Sequence, residues 1–171
     1  PVWPDQLYDC LRALDVTIFG HVPDAGHKVL INRAGADPAA TSIGLTIESE
    51  GIGLITGAYL GGQRAVLAMQ SSGVGNCINA LSVVRTCRMP LLMIVTMRGD
   101  YGEANPWQIP MGQATPKVLE DIGMKVIPVE TVADAQDALA AGMTMAYESS
   151  APVAILVSQR LIGAKPFRSD P

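Results

Sequence analysis

Apolar positions along this chain follow two rhythms that alternate from end to end, stripes at three- and four-residue spacing and short unbroken runs. The first stripe, Leu7, Cys10, Leu11 and Leu14, predicts a helix over Trp3–Leu14 that covers one face of a sheet. Val16–Phe19 reads as a buried strand, running into the polar loop Gly20–Gly26 and a weak helix from about His27 to Asn32. A loop over 33–41 and a second strand over Ser42–Ile47 follow. The alternation continues with a helix over 49–60, strand Ala65–Met69, a helix over 75–87, strand Leu91–Thr96 and a long loop over 98–111. A helix over 115–122, strand Lys125–Val129, a helix over 132–148 and strand Val153–Val157 complete it. Helical segments between successive strands require crossover connections, so the pattern predicts an α/β fold, a doubly wound and mostly parallel six-stranded sheet with helices on both faces. Ligands of such sheets bind beyond the carboxyl ends of the strands. The segment Gly163–Pro171, rich in Lys, Arg, Pro and Asp, reads as a mobile terminus or a docking arm.

Composition agrees with this picture. With 171 residues, 49% of them hydrophobic and 16% charged, residues 1–171 are expected to form one domain with a sizeable core. Few aromatics and many small aliphatic residues suit a sheet buried on both faces. A net charge of -4, with no basic run, argues against nucleic acid as a partner. Every apolar stretch is interrupted before the ~18–20 residues that a membrane helix needs, and Pro1–Asp5 does not read as a signal peptide. Cys10, Cys77 and Cys87 are odd in number and lack C-x-x-C spacing, which argues against a disulfide framework and points to a reducing compartment such as the cytoplasm; Cys77 and Cys87, in an apolar helical pattern, read as small buried hydrophobes.

The chemistry concentrates in two segments. Thr46–Leu60 places Glu48 at the mouth of an apolar, Gly-rich helix, where core packing has no use for a charge; Glu50 competes with it for any role. Met69-Gln-Ser-Ser-Gly-Val-Gly-Asn76 opens a second helix with small and polar residues, so two helix N-termini can converge on one crevice. The usual cofactor signatures fail. Gly51-Ile-Gly53 lacks the third glycine in place and the acidic residue after the next strand that a dinucleotide fold needs, and no P-loop lysine follows a glycine-rich turn. His21 and His27, with Asp24 between them, make a poor metal set. A nucleophilic Ser71 or Ser72 would need a base such as His21. Ordinary strand-to-helix turn chemistry explains the glycines of this loop, but not why Gln70 and two serines share one strand end.

These segments together resemble the pyrimidine-binding domain of thiamine-diphosphate-dependent 2-oxoacid decarboxylases. Val22-Pro-Asp-Ala25 resembles the family's first substrate-side loop. Glu48, Gly51 and Gly57-Ala-Tyr59 match the spacing of its cofactor-activating glutamate and Gly-rich helix, and Met69–Ala80 resembles its Met-Gln-Asn-Ser-Gly-x-Gly-Asn turn. Arg98-Gly-Asp100 and Gln108-Ile-Pro-Met-Gly112 resemble the next loop.

The resemblance implies that Glu48 hydrogen-bonds the N1' nitrogen of the aminopyrimidine and promotes the tautomer that generates the thiazolium carbanion. Desolvation of such a glutamate would let it exchange a proton at neutral pH. Glu48, Pro23, Gly73 and Asn76 would bind the cofactor, and His21, Asp24, Gln70, Ser71 and Ser72 would face substrate. The substrate implied is a short acidic 2-oxoacid, sulfopyruvate before phosphonopyruvate. The family's Gly-Asp-Gly motif for diphosphate and magnesium is absent, since Tyr101 stands in Arg98-Gly-Asp-Tyr-Gly102 where glycine is needed. The chain is therefore expected to be half of an active site. A separate beta subunit would carry the diphosphate-binding domain and Mg2+, in an α2β2 or larger assembly, and no metal would be held by this chain. Ala25 and Pro106-Trp-Gln-Ile-Pro110 depart from the Ser and His of phosphonopyruvate-type relatives, which leaves the proton donor open. Trp107, with Pro106 and Pro110, is expected to serve as an interface plug or a lid. The rival expectations are a subunit of another 2-oxoacid decarboxylase or of a carboligase, and a non-catalytic α/β regulatory subunit.

Overall fold

The computed structural model describes residues 3–163; the expected tail, beyond Gly163, lies outside the described residues. The chain runs α1 (Trp3–Ala13), β1 (Val16–His21), a 3-10 turn (Ala25–His27), α2 (Lys28–Ala36), β2 (Thr41–Gly44), α3 (Glu48–Leu60) and β3 (Arg64–Gln70). It continues through α4 (Ser71–Val74), a 3-10 turn (Gly75–Cys77), α5 (Ile78–Cys87), β4 (Leu91–Thr96) and a 3-10 turn (Pro106–Gln108). α6 (Ile109–Asp121), β5 (Lys125–Val129), α7 (Val132–Tyr147), β6 (Pro152–Val157) and α8 (Gln159–Ile162) follow.

The six strands form one parallel sheet in the order β2-β1-β3-β4-β6-β5. Because side chains alternate along a strand, the sheet has two distinct cores. Phe19, Val66, Ala68, Leu92 and Ile94 pack beneath α1, α2 and α7. Ala65, Leu67, Met69, Leu91, Met93 and Val95 pack on the other face beneath α3, α5 and α6. The close approach of α3 requires glycine: a Cβ at Gly51 would fall within 2.8 Å of Leu67 Cδ2. On the opposite face the Tyr147 hydroxyl donates to Ala65 O and accepts from Ala65 N, 2.8 Å each, fastening α7 to β3.

From β1 the chain turns outward to β2, whereas from β3 it turns the other way to β4. The carboxyl ends of β1 and β3 therefore flank the sheet's switch point, where open α/β sheets leave a crevice.

Four local expectations need correction. α2 extends to Ala36, so the expected 33–41 loop shrinks to 37–40. β2 stops at Gly44 rather than at Ile47, because β1 ends at His21 and the bond from Leu45 N to His21 O is the last rung. The expected turn before the helix over 75–87 is itself helical from Ser71. The expected 98–111 loop gives way to helix at Pro106, since Pro106 and Pro110 occupy first-turn positions where a missing N–H costs nothing.

Candidate active site

Glu48 is the first residue of α3, and its carboxylate lies against Gly73 across the switch-point crevice. A Cβ at Gly73 would stand 2.5 Å from Glu48 Cδ, and nearer still to Cγ and Oε1, so only glycine leaves the carboxylate its place. Asn76 Nδ2 donates to Glu48 Oε2 at 2.8 Å. Among the described residues Oε1 has no hydrogen-bond partner, which leaves one carboxylate oxygen available to a ligand. The neighbouring Cys77 thiol is fully buried, and burial together with the Glu48 charge pushes its pKa up to about 12.

Glu50 does something else. Its Oε2 accepts from the backbone N–H groups of Thr46 (2.9 Å) and Ile47 (3.4 Å), the returning half of a capping box that satisfies donors at the start of α3. The two glutamates of Glu-Ser-Glu thus divide: one ends the helix's unpaired donors, the other faces the crevice.

On the other side of the same strand ends, three loops are tied together through Asp24. Its Oδ2 accepts from Gly26 N (2.9 Å) and Thr96 Oγ1 (2.7 Å), and its Oδ1 from Gln70 Nε2 (3.0 Å). Gln70 Oε1 in turn accepts from Ser72 Oγ at 2.7 Å, which carries the network to the residue preceding Gly73. Asp24, Gln70 and Ser72 are therefore brought together, with Pro23 exposed at the rim. Ser71 is fully buried; its hydroxyl accepts from Arg98 N at 3.0 Å.

His21 points to the α2 face, away from α3, as its alternation with Gly20 requires. Its Nε2 is 3.0 Å from Ser42 Oγ, its Nδ1 is buried without a partner, and burial lowers its pKa. His27 is buried in the core, donating from Nε2 to Met69 O at 3.0 Å; desolvation holds it neutral, against the smaller pull of Asp24. Among the described residues no three of His, Cys, Asp and Glu gather so as to hold a metal ion.

Thr96 is the partner that sequence reasoning missed: it ends an all-apolar strand, and that position was its only signal. A second missed cluster closes the loop after β4. Arg98 forks onto Glu103 at 2.6 and 2.8 Å, while Gln159 Nε2 and Asn105 N donate to the same carboxylate at 3.0 and 2.9 Å. The Arg98 bond, foremost, pulls the Glu103 pKa down to about 2. Trp107 is 85% exposed and, with Pro106, Pro110 and Met111, lines a shallow apolar cleft.

Comparison with known proteins identifies the class to which this parallel sheet belongs. Residues 30–165 match the family described as "Pyruvate flavodoxin/ferredoxin oxidoreductase, thiamine diP-bdg". The fold is shared with 2-oxoglutarate:ferredoxin oxidoreductase from Magnetococcus marinus, at TM-score 0.77 and 18% identity, covering 94% of this chain and 29% of that one. Sulfopyruvate decarboxylase subunit alpha of Methanococcus maripaludis is 38% identical over 90% of this chain and 92% of its own. That of Methanocaldococcus jannaschii is 34% identical over 88% and 89%. Phosphonopyruvate decarboxylase of Streptomyces viridochromogenes is 33% identical over 92% of this chain but only 40% of its own length. The chain belongs to the thiamine diphosphate-binding family and, within it, to the family of sulfopyruvate decarboxylase alpha subunits.

Proposed function

We propose that this chain is the pyrimidine-binding alpha subunit of a thiamine-diphosphate-dependent decarboxylase of a short acidic 2-oxoacid, with sulfopyruvate, giving sulfoacetaldehyde and carbon dioxide, as the first substrate. The observation that carries it is the Glu48 carboxylate, held at Oε2 by Asn76 and seated against Gly73 with Oε1 free. The names of the relatives at 34–38% identity support the substrate. The phosphonopyruvate decarboxylase match favours a phosphono tail as the alternative.

The residues present fit the cofactor's base. When bound, thiamine diphosphate supplies the nucleophilic carbon and the electron sink that decarboxylation of a 2-oxoacid needs. Glu48 Oε1 would hold and move a proton at the ring nitrogen N1', while Asn76 fixes the carboxylate's rotamer and Gly73 leaves room for it. Asp24 and Gln70 set the Pro23 and Ser72 loops around the reacting end. The subunit names of the relatives support a partner, a beta subunit, that would hold the diphosphate and Mg2+ in an α2β2 or larger assembly. Among the described residues no helix is long and apolar enough to cross a membrane. The cytoplasm is the proposed compartment.

The test is sulfopyruvate turnover by the complex of this chain with its partner, in thiamine diphosphate and magnesium, for the unaltered protein and for Glu48→Gln. Glu48→Gln should lower kcat by about 10²- to 10⁴-fold with the complex still assembled. Retained turnover would sink the catalytic role, and a partnered complex that turns over no 2-oxoacid would favour the regulatory subunit.

A further inference from the structure

Beyond Asp24 the loop after β1 opens into a cleft of about 370 Å³ lined by Pro23, Asp24, Ala25, Lys28, Ile31 and Asn32. Its volume falls within the ~300–1,000 Å³ that small-molecule sites occupy. Asp24, in extended backbone, caps the 3-10 turn, and Lys28 opens α2 four residues on. The two form no ion pair, because both Asp24 oxygens are turned onto Gly26 N, Thr96 and Gln70. Lys28 is exposed, and among the described residues it takes part in no ion pair. Besides the Asp24 carboxylate, held by its own loop, the cleft therefore has one cation that no carboxylate contacts, an amide at Asn32, and apolar lining from Pro23, Ala25 and Ile31. That is the donor set for a compact anion carried on a methylene. A continuous path leads from it to the catalytic carboxylate: Asp24 holds Gln70, Gln70 holds Ser72, and the next residue is Gly73, against Glu48.

We infer that this cleft is the acid-tail subsite of the substrate, with Lys28 pairing the sulfonate or phosphonate and Asn32 donating to one of its oxygens; the inference rests on the proposed decarboxylase function. It gives Lys28 the task of separating substrates with a second anionic group from tail-less 2-oxoacids, while the 2-keto end lies toward Glu48. Asp24 keeps its charge beside the subsite but spends its acceptors on the loop clip, so the anion meets the ammonium first.

The experiment compares the partnered complex carrying Lys28→Met or Lys28→Arg with the unaltered complex. Three quantities are read: KM and kcat for sulfopyruvate, the affinities for 3-sulfopropanoate and propanoate by calorimetry, and the affinity for thiamine diphosphate. Lys28→Met should raise KM for sulfopyruvate about 10- to 100-fold, the loss of one charge-assisted contact. It should weaken 3-sulfopropanoate by the same factor and leave propanoate and thiamine diphosphate where they were; Lys28→Arg should recover most of the loss. An unchanged sulfopyruvate KM, or a loss shared equally by propanoate or by thiamine diphosphate, would overturn the subsite. An unaltered complex without 2-oxoacid turnover would instead bring down the decarboxylase function on which it rests.

Discussion

Gly73→Ala isolates the packing that places the Glu48 carboxylate. Inside a helical turn this exchange ordinarily stabilises, by about 0.5–1 kcal/mol, because glycine gives up more backbone entropy on folding. Gly73 needs no special backbone, since its φ is not among the positive ones. The new Cβ, however, would sit 2.5 Å from Glu48 Cδ, where carbon atoms prefer roughly 3.5–4.0 Å. The carboxylate must retreat by about 1 Å, which pulls Oε2 off Asn76 and carries Oε1 away from where the cofactor's N1' would sit. Overpacking of this kind costs about 1–3 kcal/mol, so the sign of the stability change reverses. A misplacement of that size also lowers kcat on the order of 10²-fold in a site built on proton position. Two assays read it: urea midpoints of the chain, and kcat of the partnered complex. The decisive comparison repeats Gly73→Ala in a Glu48→Ala background, where the clash is gone and the helix gain should reappear. A Gly73→Ala penalty of the same size in both backgrounds would refute the claim that the glycine exists to seat the glutamate. Undiminished kcat in the single variant would refute it independently.

Two further outcomes follow from residues that flank the site. Glu50→Ala should cost about 0.5–2 kcal/mol in the urea midpoint, the worth of a helix cap, while leaving kcat of the complex unchanged. A loss of turnover matching that of Glu48→Gln would show that the two glutamates had been assigned the wrong way round. Glu103→Gln should cost about 3–5 kcal/mol by leaving Arg98 without its buried counter-charge. Because the Glu103 pKa is drawn from 4.5 down to about 2, its contribution is fully present above pH 4.5 and lost as the pH falls through about 2. Stability measured between pH 5 and pH 2 should therefore fall less steeply in Glu103→Gln than in the unaltered chain; parallel curves would refute the linkage.

The strands and most helices were legible because short unbroken apolar runs and 3.6-residue stripes are properties of the chain itself: β4 was expected over Leu91–Thr96 and is found there, buried at every position. What could not be read was anything decided by a partner distant in sequence. Ser42–Ile47 has strand composition throughout, yet Thr46 and Ile47 lie outside β2 because the neighbouring strand has already left the sheet. Pro106 and Pro110 looked like loop residues until the helix supplied first-turn positions for them. Glu48 was singled out by its misplaced charge, but its separation from Glu50 depends on which carboxylate meets Gly73. Thr96 and Asp24 are 72 residues apart, and no local pattern announces their bond.

The two loops at the carboxyl edge differ in what they leave unsatisfied, and that difference bears on where a ligand can enter. After β4, the Arg98 fork, Asn105 N and Gln159 saturate Glu103, and Gln159 Oε1 accepts from Tyr101 N at 3.2 Å. A Cβ at Gly99 would stand 2.6 Å from Ile109 Cα, so α6 is pressed directly onto this loop. The Glu103 carboxylate is thus saturated by its own loop and Gln159. Between β1 and β3, by contrast, Glu48 keeps one oxygen free and Lys28 its whole ammonium, while Asp24 is consumed in fastening the loops between them. An anion at one end and a cation at the other, joined by a rigid clip, is an arrangement that a neutral α/β core does not need. It suits a cofactor ring nitrogen at the carboxylate and the acidic tail of a separate substrate at the lysine, and the Glu48→Gln and Lys28→Met variants probe those two ends separately.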